Sequence, residues 1–274
     1  AHPLELLESA ATAVAGGDLT TRSGLSARSD ELGSLGRSFD AMAADLEQGE
    51  AARRRFFADA AHEMKTPLSV IDATAAAVLD GVYPYDHRHL ETIRAQARLL
   101  ARIVDDLRTI SLAEAGALPL AKAPVALDDV ARAIVSAFEA RALVRAITLG
   151  VAPGPGRIVR ADRDRLTQAV ATMVDNAIRH APAGGHVTMR FGPSPAAPGR
   201  ARLEVADDGP GIADTDLAHL FDRFYQADVA RDRASGTSGL GLAIARAIAE
   251  AHGGSVGAAN RPEGGARFWI DIPE

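Results

Sequence analysis

Phe57–Val82 reads FADAAHEMKTPLSVIDATAAAVLDGV, and its apolar residues keep one rhythm. Phe57, Ala61, Met64, Leu68, Ile71, Ala75, Val78 and Val82 step by fours and threes without a miss, the spacing of a single stripe on an α-helix. Val82-Tyr83-Pro84-Tyr85-Asp86 interrupts the pattern, and the proline predicts the helix end there. Leu90, Ile93, Ala97, Leu100, Val104 and Leu107 resume it on a return helix. A two-helix hairpin of this length cannot bury both faces alone. Two copies paired as a four-helix bundle would, so a homodimer is expected. Pro67 lies inside the stripe, which continues past it, so a kink is expected there and not a terminus.

Upstream, residues 1–52 hold two shorter stripes of the same kind. Leu4, Leu7, Ala11 and Val14 form one, and Leu32, Leu35, Phe39, Met42 and Leu46 the other; both have coiled-coil spacing. Between them lies a Gly-, Ser- and Thr-rich connector of about 13 residues, longer than the ~2–8 that a helical hairpin needs. Two parallel helices with the chain running back beside them fit it better. Ser29-Asp30-Glu31 opens the second helix with the early acidic side chains that suit an N-terminus. From Met42 to Phe57 is fifteen residues, where two heptads require fourteen. The two stripes are therefore out of register by one residue.

Downstream, residues 117–274 change character. Strand-like runs at Ile147–Val151, His186–Phe191, Arg202–Val205 and Arg267–Ile272 alternate with helical stretches at Leu127–Ala142, Arg163–His180 and Leu240–His252. One mixed sheet under a helical layer, an α/β sandwich, is expected. The run 192–199 (GPSPAAPG) reads as a surface loop. Across the 274 residues aromatic side chains make up only 4% while hydrophobic residues make up 47%, a balance that favours packed helices over a β-sandwich. Net charge is −6 and the densest basic run is Arg53-Arg54-Arg55, which argues against a nucleic-acid partner. Absence of cysteine excludes disulfides, thiolate metal sites and thiol nucleophiles. No charge-free run approaches the roughly 18–20 residues that cross a bilayer. The opening Ala-His-Pro-Leu carries no Met and no signal peptide, which suggests a piece of a longer protein.

His62 follows the stripe residue Ala61, off the apolar seam, with Thr66 one turn along on the same face. A solvated imidazole can act as a nucleophile, and the neighbouring Glu63 can accept the Nδ1 proton and favour attack by Nε2. The run His62-Glu63-Met64-Lys65-Thr66-Pro67-Leu68 closely resembles the H-box of bacterial sensor histidine kinases, commonly His-Glu-Leu-Arg-Thr-Pro-Leu. The resemblance implies that His62 accepts the γ-phosphoryl of ATP, that Glu63 is its base, and that Thr66 positions water for the reverse phosphatase reaction.

Three further motifs lie downstream. Asp207-Asp208-Gly209-Pro210-Gly211 ends a strand with an acid, able to accept from an exocyclic amine, and two glycines that let backbone approach a ligand. Ser238-Gly239-Leu240-Gly241-Leu242 opens a helix, whose amides suit phosphate. Asn176 sits on a helix with Arg179 and His180 one turn on; an amide oxygen can ligate Mg²⁺ and a guanidinium can meet phosphate. Together they look like the nucleotide motifs of the Bergerat-type ATP fold shared by histidine kinases, gyrase and MutL, and Leu220-Phe221-Asp222-Arg223-Phe224-Tyr225 is similar to the kinases' F-box.

By that resemblance Asn176 holds Mg²⁺, Arg179 touches phosphate, His180 packs on adenine and Asp207 reads its amine. Residues 213–238 would form a mobile lid docked by Phe221 and Phe224. The first zone resembles a HAMP signal-relay domain. The implied order is an all-α HAMP coiled coil (1–52), a dimeric four-helix bundle (53–116) and an α/β sandwich ATP-binding domain (117–274). The implied cofactors are ATP and Mg²⁺, the implied partner a response-regulator receiver domain, and the implied location the cytoplasmic side of the bacterial inner membrane, through a transmembrane segment outside this chain.

Three positions depart from the pattern. Thr172 replaces a second Asn, Gln226 follows Phe-Tyr where Arg or Lys is common, and Thr237 stands where glycine is common. Gyrase-like and MutL-like ATPases carry a water-activating Glu where Thr172 stands, which argues against a clamp ATPase. A relay that binds nucleotide without transferring its phosphate, acting mainly through Thr66, is the remaining alternative.

Overall fold

The computed structural model describes residues 2–154, 156–226 and 238–274. The chain divides into two compact units, Ala1–Glu63 and Met64–Glu274. In the first, α1 (Pro3–Ala15) is followed by a connector and by the start of α2 (Glu31–Leu79). Asp30 caps α2 by accepting from the Gly33 amide at 3.0 Å. Its carboxyl is held down at about 2, first by the Arg28 guanidinium and then by the Gly33 amide. The connector is fastened to α2 by buried polar contacts. The Ser23 amide donates to Asp40 at 2.6 Å, the Ser23 hydroxyl donates to the Gly36 carbonyl at 3.3 Å, and Leu25 is buried beside them.

α2 is one helix of 49 residues that continues through Pro67. It stops earlier than the proline signal suggested. Gly81, at φ +73°, follows the last turn and its amide donates to the Val78 carbonyl at 3.2 Å, a left-handed helix stop; Val82 lies outside the helix and exposed. The return helix α3 (His87–Glu114) starts at Asp86, whose side chain accepts from the His89 amide at 3.1 Å.

The rest of the second unit contains β1 (Ala123–Ala126), α4 (Leu127–Val144), β2 (Thr148–Val151), β3 (Ile158–Ala161), α5 (Arg163–His180), β4 (His186–Pro193), β5 (Arg200–Asp207), α6 (Asp214–Leu217), α7 (Gly241–Ala251), β6 (Ser255–Asn260) and β7 (Ala266–Pro273). Five strands form a sheet in the order β2-β4-β5-β7-β6. β2 and β4 are parallel and the other pairs antiparallel. β1 and β3 form a separate antiparallel ribbon. Alternation along β5 buries Ala201, Leu203 and Val205 on one face, where they join Ile134, Met173, Ile178, Ile244 and Ile248 from α4, α5 and α7 in one core. The sandwich is as expected; the ribbon and β6 are additions to the strands read from sequence. Among the described residues no helix is long and apolar enough to cross a membrane.

Candidate nucleotide and phosphoacceptor sites

α5 is built on two faces. Leu166, Ala169, Val170, Met173, Val174, Ala177 and Ile178 are buried in the core. The neighbouring row of Gln168, Ala171, Thr172, Asp175, Asn176 and Arg179 lines a cleft of about 530 Å³. Helical spacing alone puts Asn176 and Arg179 on this row. Asp162 fixes the start of the helix by accepting from the Asp164 and Arg165 amides at 3.1 and 3.0 Å.

Opposite stands the N-terminus of α7. Leu240, fully buried, anchors it, and Ser238, Gly239 and Gly241 line the cleft. Gly239 has φ +65°, and a Cβ there would lie 2.8 Å from the Phe224 Cα, so both conformation and space demand glycine. Within the cleft Arg179 donates to Asp175 on its own helix, and Arg141 from α4 donates to the same carboxylate. Thr172 and Gln226 line the cleft too; the Thr172 hydroxyl donates to the Ala169 carbonyl at 2.8 Å. Phe221 and Phe224 pack against the core, and Phe224 is left-handed at φ +58°. Residues 227–237, including Thr237 and much of the expected lid, lie outside the described residues.

Asp207 ends β5 buried, 2% exposed. Burial pushes its carboxyl up, while the Gly209 and Ala266 amides oppose that shift. Oδ1 accepts from the Gly209 amide at 2.8 Å. A Cβ on Gly209 would meet Asp207 Oδ1 at 2.6 Å and the His180 carbonyl oxygen at 3.0 Å, so Asp207, Gly209 and His180 form one tight group. Gly211 faces Asn260, whose side chain accepts from the Ile212 amide at 2.7 Å and donates to the Ile212 carbonyl at 2.8 Å. The Asp207 group does not line the cleft of Asn176. The two are joined through the end of α5, where His180 follows Arg179.

Sequence reasoning missed several parts of this region. Arg261 donates to the Asp207 carbonyl at 2.8 Å and to Asp208 at 2.9 Å. Gly265, at φ +84°, leaves no room for a Cβ, which would fall 1.9 Å from the Asp207 carbonyl oxygen. The Gly264-Gly265 pair before β7 was the available signal. From α3 come Leu99, Arg102 and Asp106, which line the cleft. Burial raises the Asp106 carboxyl to about 6, with Arg102 opposing and Asp105 adding to the shift.

His62, Glu63 and Thr66 lie on α2, with His62 and Thr66 exposed and Glu63 half-buried. His62 and Glu63 fall in the first unit and Thr66 in the second.

The chain matches three families in sequence order: the HAMP domain over residues 1–48, the His Kinase A (phospho-acceptor) domain over 52–116, and the histidine kinase-, DNA gyrase B- and HSP90-like ATPases over 161–274. It belongs to the two-component sensor histidine kinases. The signal transduction histidine-protein kinase BaeS of Escherichia coli K12 is 37% identical over 271 residues, covering 99% of this chain and 57% of BaeS. The sensor histidine kinase CpxA of the same organism is 31% identical over 275 residues, covering all of this chain and 58% of CpxA. The chain thus spans little more than half the length of these relatives. Among solved structures, the Acinetobacter baumannii histidine kinase AdeS superposes with a TM-score of 0.65 at 29% identity, covering 77% of this chain and 97% of that one. Full-length ShkA in complex with AMPPNP gives a TM-score of 0.57 at 28% identity, covering 77% and 44%.

Proposed function

We propose that this chain transfers the γ-phosphoryl of Mg-ATP to His62 and passes it on to an aspartate of a response-regulator receiver domain, and that Thr66 serves the reverse dephosphorylation. The observation that carries the reading is the cleft in which one face of α5 and the N-terminus of α7 offer an amide, a guanidinium and helix-end amides to a polyphosphate. ShkA, a similar chain, binds a triphosphate analogue. Asp207, with Gly209, Gly211 and His180, would hold the adenine. Asn176 and Arg179, with Gly239-Leu240-Gly241, would hold the phosphates, and Phe221 and Phe224 would seat the lid.

The donor set fits Mg²⁺ delivered with nucleotide. Among the described residues no cluster of three or more His, Cys, Asp or Glu could hold a metal, and Mg²⁺ commonly takes one or two protein groups and fills its shell with phosphate and water. Asn176 would be that group, and the ion would offset charge on the transferring phosphoryl. Glu63, next to His62, would orient the imidazole for attack.

The rest of the reading follows the family. The division into 1–52, 53–116 and 117–274 assigns relay, dimerisation with phosphotransfer, and ATP binding. The chain would act as a homodimer on the cytoplasmic side of the inner membrane, anchored by a segment outside this sequence. Incubation with γ-labelled Mg-ATP tests the central step. Acid-labile label is expected on the wild type and absent from His62→Gln, which should still bind nucleotide. Label persisting on His62→Gln would overturn the assignment.

A further inference from the structure

Besides Leu99, Arg102 and Asp106 in the cleft, α3 meets the nucleotide-binding part of the second unit again at its last turn. Glu114, the final residue of α3, is ion-paired with Arg223, inside the F-box-like run. The pair lines a small cavity of about 240 Å³ together with Ile110, Ala113, Phe221 and Arg246. Arg246 repels Arg223 and is itself paired with Glu250 at 2.8 Å, so each guanidinium here has its own carboxylate.

The next residue is the informative one. Phe224 is held at φ +58°, a conformation that a side chain of this size adopts only where its surroundings impose it. Its backbone presses on Gly239, where an added Cβ would lie 2.8 Å from both the Phe224 Cα and carbonyl carbon. Gly239 in turn lines the cleft beside Asn176 and Arg179. A continuous line of contacts therefore runs from the end of the dimerisation hairpin, through Arg223 and the strained Phe224, to the phosphate end of the cleft.

We infer that the Glu114–Arg223 pair is a latch: it holds Phe224 against Gly239 and so lets the position of α3 set the affinity of the cleft for the nucleotide's phosphates. Glu114 is thus a positioning residue that acts through Arg223. A half-exposed ion pair adds little stability, but it fixes the direction in which Arg223 leaves the backbone one residue before Phe224. The inference rests on the nucleotide reading of the cleft, and not on His62 being the acceptor.

Isothermal titration of the full chain with Mg-ATP and, separately, with adenosine separates the phosphate end from the adenine end. Glu114→Gln and Arg223→Gln are each expected to weaken Mg-ATP at least fivefold and leave adenosine within twofold of wild type. The reversed pair, Glu114→Arg with Arg223→Glu, should return Mg-ATP to within twofold. Unchanged Mg-ATP affinity in Glu114→Gln, equal loss of adenosine binding, or a reversed pair no better than the single variants would each overturn the latch. A wild type that binds Mg-ATP without labelling His62 would overturn the proposed phosphotransfer and leave these readouts standing.

Discussion

Asp106 shows how one side chain from the hairpin can tune the cleft. Burial raises its carboxyl to about 6, and Arg102 and Asp105 are the charges that act on it. Arg141, Asp175 and Arg179 line the same cleft, with both guanidinium groups on Asp175. With a polyphosphate in the cleft as proposed, Asp106 would be mostly charged above about pH 6 and repel it, and mostly neutral below. Asp106→Asn, neutral at every pH, is therefore expected to bind Mg-ATP about three- to tenfold more tightly than wild type at pH 7.5. That advantage should shrink toward unity at pH 5.5. Comparing variant with wild type at each pH cancels titration of the nucleotide itself. No advantage at pH 7.5 would place the carboxyl away from the phosphates, and one undiminished at pH 5.5 would mean that the carboxyl is not raised.

At the scale of elements, α3 carries two adjacent apolar rows. Leu99, Ile103 and Ile110 face the core that includes α7. Leu90 and Val104, on the row read from sequence, remain 44% and 47% exposed, and Leu68 on α2 is 55% exposed. Full burial of such a side chain is worth about 1.5–3 kcal/mol, so a second copy covering this stripe would be held mainly by it. The double variant Leu68→Asp, Val104→Asp is expected to be monomeric by light scattering at concentrations where wild type is dimeric. A dimer that survives would use another face. The second row of α3 was hidden because Asp106 interrupts it and because the heptad count through Leu100, Val104 and Leu107 had already accounted for the helix. α5 was legible to its ends, since Asp162 caps it and an apolar row persists throughout. β6 was not: Ser255–Asn260 is mostly small residues without alternation, and Gly257 is there to let the Trp269 ring lie across it, a Cβ falling 2.3 Å from that ring. The motif residues of the cleft were readable because helix ends and tight turns need particular residues. The contributions of α3 and α4 were not, because only the fold brings them there.

Across the whole molecule the longest element is α2, and it contains the stripe of Met42 and Leu46 as well as that of Phe57 and the exposed His62. The helix does not break at the one-residue slip between the stripes. Glu50 pairs with Arg53 at 2.9 Å and Arg54 at 3.2 Å, contacts that support the helix from within and offer no apolar surface to a partner. One residue turns an α-helix by about 100°. A continuous helix therefore carries the slip as a fixed angle between its two apolar faces, where a flexible joint would absorb it. In a paired assembly, the hypothesis is that the two stripes cannot both be well packed at once, which makes the helix a two-state element biased by whatever rotates its first half. Deleting Ala52 restores a spacing of fourteen residues between Met42 and Phe57, and is expected to lock the ratio of autophosphorylation to regulator dephosphorylation at one extreme. Removing the seven residues 48–54 shortens the helix by a heptad and keeps the slip, and should leave that ratio close to wild type. Both rates are read with labelled Mg-ATP and the purified receiver domain. If the single deletion leaves the ratio where it was, or if the heptad deletion shifts it as far, the slip carries no signal and α2 is only a connecting rod.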